Sequence, residues 1–199
     1  DLIGFGVIIP LLPFYGEHYQ ATPATVGLLM ATYSFTQFLA APFWGRLSDR
    51  TGRRPVLLIS LCGAALSYVW LGFADSLWML FAARAMGGFM AGNISTAFAY
   101  VADVTTHENR ARGMGVIGAA FGLGFIIGPA VGGLLAGPDP VNADFQRPAF
   151  AASGFSFAAL VMALFLLKES LSEETRKRLA QQPPRRTFRV LNQGSEYSL

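Results

Sequence analysis

Six stretches of this chain carry no Asp, Glu, Lys or Arg: Leu2–Gly16, His18–Gly45, Pro55–Ala74, Ala85–Ala102, Gly113–Pro138 and Pro148–Leu167. A helix needs roughly 20 apolar residues to cross a hydrocarbon core of about 30 Å, and most of these runs reach or approach that length. The pattern predicts an all-α membrane protein with six transmembrane helices, at about 1–15, 24–44, 55–74, 77–101, 113–136 and 149–167. Residues 168–199 form a polar, basic tail in which Pro183-Pro184-Arg185-Arg186 has the composition of a linker. The first run covers only about 22 Å at 1.5 Å per residue. The expectation is therefore that the chain begins part-way along a helix and that Asp1 is an intramembrane carboxylate.

Charge is confined to the turns between these runs. Gly45–Arg54 alone holds Arg46, Asp49, Arg50, Arg53 and Arg54 between two apolar segments. If that turn is cytoplasmic, alternation places Asp103–Arg112 and the tail on the same side. Those segments then carry every Lys and Arg except Arg147, in an opposite loop, and Arg84, inside helix 4. This asymmetry is the positive-inside pattern. It accounts for the basic balance of the chain without invoking nucleic acid. The composition agrees: 53% hydrophobic and 14% charged, against about 25% charged in soluble domains.

Small residues and prolines refine the helices. Helix 5 has Gly124, Gly128 and Gly132 on one row and Gly118 and Gly122 on another; helix 4 has Gly88 and Gly92. Such rows let helix backbones approach closely in a bilayer. Pro10, Pro13 and Pro129 permit bends. Cys62 is the single cysteine, which excludes an internal disulfide and reads as an inert packed thiol.

No hydrolytic, redox or metal-binding constellation is present, so neither an enzyme nor a cofactor is expected. Ionisable residues inside a membrane are costly and functional by default. Asp1 and Arg84 qualify, with the alternatives that Asp1 is interfacial and that Arg84 snorkels to the outer surface. Tyr33 and Gln37, one turn apart on helix 2, either face a water-filled substrate cavity or hydrogen-bond a neighbouring helix. Asn93 lies about half a turn around helix 4 from Arg84, so only one of them faces a given cavity; Arg84 is the candidate.

These residues resemble the major facilitator superfamily. GRLSDRTGRRPVLL, Gly45–Leu58, is similar to its motif A through Gly45, Leu47, Asp49, Arg50, Gly52, Arg53 and Arg54. RAMGGFMAG, Arg84–Gly92, resembles motif B. GFIIGPAVGG, Gly124–Gly133, resembles the antiporter motif C, with Gly124, Gly128, Pro129, Gly132 and Gly133. DLIGFGVIIPLLP, Asp1–Pro13, resembles the helix 1 motif of the drug–proton antiporter branch, whose tetracycline-type exporters are the nearest group. The resemblance covers nearly all of residues 1–170.

What the resemblance implies is a six-helix half of a major facilitator fold, a 3+3 inverted repeat, joined by the tail to a second six-helix half. Asp49, Arg53 and Asp103 would form a cytoplasmic gate network. Asp1 and Arg84 would couple protons to the export of small amphipathic compounds. A bacterial inner membrane is the implied location, with the motif A turn and the tail cytoplasmic. Tetracycline exporters have an acidic residue in helix 3 where this chain has Ser67, which counts against a tetracycline–metal substrate. A proton-coupled importer of a sugar or other metabolite, a non-transporting sensor or scaffold, and a six-helix homodimer are the competing readings.

Overall fold

The computed structural model describes residues 2–137 and 143–171. Asp1 and residues 172–199, most of the expected linker, lie outside the described residues. The described residues form eight α-helices and no strand: α1 (Leu2–Ile8), α2 (Leu12–His18), α3 (Pro23–Thr51), α4 (Arg53–Gly72), α5 (Leu77–Ala91), α6 (Ile94–Val104), α7 (Arg110–Ala136) and α8 (Gln146–Leu166). By length and composition α3, α4, α7 and α8 can each cross a membrane. The other two expected helices are interrupted ones.

The first interruption is a 3-10 turn at Ile9–Leu11 between α1 and α2. Pro10 and Pro13 bring no N–H to the ladder there, so the i→i−4 pattern cannot run through. Helix 4, expected to be continuous over 77–101, is divided at Gly92-Asn93 into α5 and α6. The carbonyls at this break find side-chain donors on α3. Trp44 Nε1 donates to Phe89 O at 2.5 Å and Gln37 Nε2 to Ala91 O at 3.3 Å. Asn93 Nδ2 donates to Ser60 Oγ on α4. A broken membrane helix persists where protein groups re-satisfy the freed backbone in this way.

Packing follows the small residues. The α1 helix lies along α7, α3 along α5, and α4 along α8. A β-carbon on Gly124 would stand 2.9 Å from Leu2 O, and one on Gly132 would stand 2.6 Å from Val7 O. One on Gly128 would meet the backbone of Gly6 and Val7. On helix 4, Gly88 faces the backbone of Tyr33, and Gly92 faces Ala40 and Ala41. Gly118, Gly122 and Gly133 have nothing near them among the described residues. Only one of the two rows on α7 is used within this bundle.

The outward faces are strongly apolar: Phe38 is 75% exposed, Trp78 83%, Leu134 84% and Phe165 84%. Apolar surface on this scale marks contact with lipid or with further protein, and with four helices long and apolar enough to cross a bilayer among the described residues, this is an integral membrane protein. Cys62 is also exposed, on α4, so the expectation of a packed thiol is corrected. In lipid an apolar residue gains no advantage by facing inward, and its position in an apolar run does not fix its face.

Candidate functional site

The start of α4 gathers most of the charge. The α3 helix does not stop at Trp44, as hydropathy predicts, but runs to Thr51, so motif A is largely helical. The whole reversal falls on Gly52, with φ 111° and ψ 160°. That conformation suits glycine and strains other residues. A β-carbon on Gly52 would also meet the Glu169 carboxylate, which would have to move.

Arg53, the first residue of α4, is the hub. Its Nη1 donates to Asp49 Oδ1 at 2.5 Å and to Ser48 Oγ at 2.7 Å. Its Nε donates to Asp103 Oδ2 at 3.3 Å. Asp49 lies in the last turn of α3 and Asp103 in the last turn of α6, so one guanidinium ties three helices. The arginine side chain is 10% exposed, Asp103 28% and Asp49 44%. The hub is sheltered on the bundle side and open through Asp49. Arg46 and Arg50 are exposed on the same end. Arg54 Nη2 donates to Leu164 O, near the end of α8, at 2.9 Å.

Sequence reasoning missed Glu169, which it assigned to the linker. Gly52 occupies the N-cap of α4 and has no side-chain oxygen, so the first N–H groups need an outside acceptor. Glu169 supplies it. Arg53 N donates to Oε1 at 2.8 Å and Arg54 N to Oε2 at 3.2 Å. Ser170 Oγ donates to Asp103 Oδ2 at 3.2 Å, and Leu171 is buried. The signal available in the sequence was a helix start at a glycine, with no capping residue of its own.

Arg84 forms a second centre, in the interior. It is 4% exposed, which rules out snorkelling to the surface. Its guanidinium carbon lies 4.3 Å from the centroid of the Tyr33 ring, a cation–π arrangement. Phe5 of α1 stacks on Tyr33 with centroids 4.9 Å apart. Tyr68 of α4 is buried and packs on Gly4 of α1. Among the described residues Arg84 Nε has no hydrogen-bond partner and no carboxylate pairs with this arginine. Asp1, the expected partner in proton coupling, is four positions before Phe5 in the sequence and lies outside the described residues. Gln37 is committed to the α5 break, the helix–helix alternative. Ser67 is buried and donates to Ala64 O at 2.7 Å.

The two ends of the bundle are chemically unlike. At the opposite end the contacts between distant segments are neutral, Tyr15 OH to Phe145 O at 2.7 Å and Tyr19 OH to Ala74 O at 2.7 Å, and the ion pair there, Arg147 Nε to Asp144 Oδ2 at 2.9 Å, is local and exposed. Motif A, Asp103 and the start of the tail thus share one end, as the alternation of the helices requires.

Comparison with known proteins agrees. The family model described as Major Facilitator Superfamily matches residues 1–194. The class C tetracycline resistance protein of Escherichia coli is 39% identical over 179 residues, 88% of this chain and 44% of that protein. Multidrug resistance protein 2 of Bacillus subtilis (strain 168) is 37% identical over 179 residues, 89% and 44% respectively. The crystal structure of the human organic anion transporter MFSD10 (TETRAN) superposes with a TM-score of 0.73 at 32% identity, covering 88% of this chain and 46% of that one. The chain spans less than half the length of these relatives.

Proposed function

Because the chain belongs to the major facilitator superfamily, we propose that it is one six-helix half of a proton-coupled exporter of small amphipathic organic compounds. The second half of the same transporter would complete the substrate cavity, and the charged end would face the cytoplasm of a bacterial cell. The observation that carries this reading is the Arg53 hub, which holds Asp49 and Asp103 from different helices. Alternating access needs contacts that hold one side shut and break when the halves rock. A sheltered arginine with one exposed carboxylate partner fits that task. Asp49 also stands where it can receive donors from outside this bundle, including a helix N-terminus of the second half.

Proton coupling rests on Asp1 and Arg84. A carboxylate that is hydrated in one state and enclosed in the other binds and releases its proton as access alternates. Arg84, buried without a described counter-ion, is a fixed positive charge close to α1 that would favour the ionised carboxylate. Motif C, with Gly128 and Gly132 against α1, would transmit helix movements between this centre and α7. Named relatives are tetracycline and multidrug resistance proteins. Ser67 on helix 3 supports a substrate of the multidrug kind over a tetracycline–metal complex.

Everted membrane vesicles containing the whole gene product test this reading, with ethidium and tetracycline as probes. An imposed inside-acid gradient should drive ethidium accumulation, and Asp1→Asn should abolish it with the protein still folded. Accumulation that ignores the proton gradient would sink the coupling, and movement only in the opposite direction would establish an importer.

A further inference from the structure

We propose that Glu169, at the root of the tail, is a positioning residue of the gate: it sets Arg53 so that the guanidinium bridges Asp49 and Asp103. The proposal rests on the gate reading above and names a part of it that motif A does not contain.

Three observations converge. The α4 helix has no cap of its own, and the Glu169 carboxylate takes the amides of both Arg53 and Arg54. An anion at a helix N-terminus is favoured by the helix dipole as well as by the hydrogen bonds. Arg53 is the residue whose backbone Glu169 holds, so the cap and the hub are one residue seen from two sides. Next, the carboxylate lies directly against Gly52: a β-carbon there would meet it unless the Glu169 side chain moved off the α4 amides. The turn of motif A is thus in contact with a side chain 117 positions later in the chain, a separation given by residues 52 and 169. Last, the contacts are reciprocal. Arg54 Nη2 donates to Leu164 O near the end of α8, and Ser170 donates to Asp103. The end of α8 and the start of α4 hold each other, and the first residues of the tail join the same network as Asp103.

Without Glu169 the first amides of α4 lose their acceptor, the first turn loosens, and Arg53 loses its fixed starting point. The gate would then weaken although Asp49, Arg53 and Asp103 are all still present. A merely structural cap would lower the amount of folded protein without opening the hub.

Ser48 distinguishes the two. It is 0% exposed and lies under Arg53, accepting its Nη1 at 2.7 Å. In the whole gene product with Cys62→Ser and Ser48→Cys, a water-soluble maleimide reads opening of the hub in membranes, without any substrate. The expected result is about tenfold faster labelling with Glu169→Ala, the scale of a lost charge-assisted hydrogen bond. Glu169→Gln, which keeps the size and one acceptor, should fall between wild type and alanine, and it carries the test if the alanine variant does not accumulate. Asp49→Asn should also accelerate labelling, and adding Glu169→Ala to it should add little, because both act through Arg53. Labelling at the wild-type rate in both Glu169 variants, with Asp49→Asn accelerated, would overturn the proposal and leave the gate standing. Multiplicative effects of Glu169→Ala and Asp49→Asn would overturn it as well. No acceleration by Asp49→Asn would remove the gate itself, and the role of Glu169 with it.

Discussion

Gly128→Ala tests whether the antiporter-motif glycines act by letting α1 lie on α7. The added β-carbon would fall 2.6 Å from Gly6 Cα and 2.7 Å from Val7 N. Ordinary carbon contacts are about 3.5–4.0 Å, so α1 must retreat by about 1 Å. Gly4 of α1 is itself in contact with Ala152 of α8, its β-carbon position 3.0 Å from Ala152 O, which limits where α1 can go. Overpacking of this kind costs about 1–3 kcal/mol. Gly154→Ala on α8 is the matched control, because nothing stands within 4 Å of its β-carbon position. There alanine gains helix propensity of up to about 1 kcal/mol. One kcal/mol shifts Tm by about 2–4 °C for a protein of 150–250 residues. Thermal unfolding in detergent should therefore place Gly128→Ala below wild type by several degrees, with Gly154→Ala at or above it. Equal Tm values for the two variants would refute the close-approach account of this row.

Arg84→Met removes a buried charge that has no described ionic partner and replaces it with an apolar side chain of similar length. Replacing buried charges by well-packed apolar groups is often neutral or stabilising, so Tm should hold or rise while gradient-driven transport is lost; a Tm lower by many degrees would make Arg84 structural. Gly52→Ala places a side chain at φ 111° and against Glu169, with backbone strain alone worth about 1–3 kcal/mol. It should both lower Tm and expose a cysteine at position 48, and wild-type behaviour in both would contradict the turn geometry. Trp44→Phe removes the donor to Phe89 O at the helix 4 break, and at about 1 kcal/mol for a net hydrogen bond it should lower Tm by about 2–4 °C.

Length, spacing and charge made the bundle legible in the sequence. Each apolar run corresponds to a helix or a broken pair, and Gly124, Gly128 and Gly132 marked the seam with α1 because only small residues allow such an approach. The Asp49–Arg53 pair was expected only through the resemblance to motif A, since the two residues lie on different helices, α3 and α4, with the reversal at Gly52 between them. Other features were hidden for physical reasons. Charged residues do not end a helix, so α3 continues through Asp49 to Thr51 although hydropathy falls at Arg46. In lipid both faces of a helix are apolar, so nothing in the run around Cys62 told inside from outside. The break at Gly92-Asn93 depends on donors from Trp44 and Gln37, which are distant in sequence. Glu169 was not identified because its partner is a backbone, the start of α4: the glycine there signals that an outside acceptor is needed, but nothing in residue identity says which residue supplies it.

The charge network at the start of α4 is the centre of the account, and transport rate is its most direct measure. In everted vesicles carrying the whole gene product, ethidium accumulation under an imposed proton gradient should be compared for wild type, Asp49→Asn and Arg53→Ala at equal amounts of folded protein. The account predicts a loss of about tenfold or more in both variants, because Asp49→Asn leaves a sheltered arginine short of a charged partner and Arg53→Ala leaves Asp49 and Asp103 without their shared cation. Wild-type rates in Asp49→Asn and Arg53→Ala would contradict it.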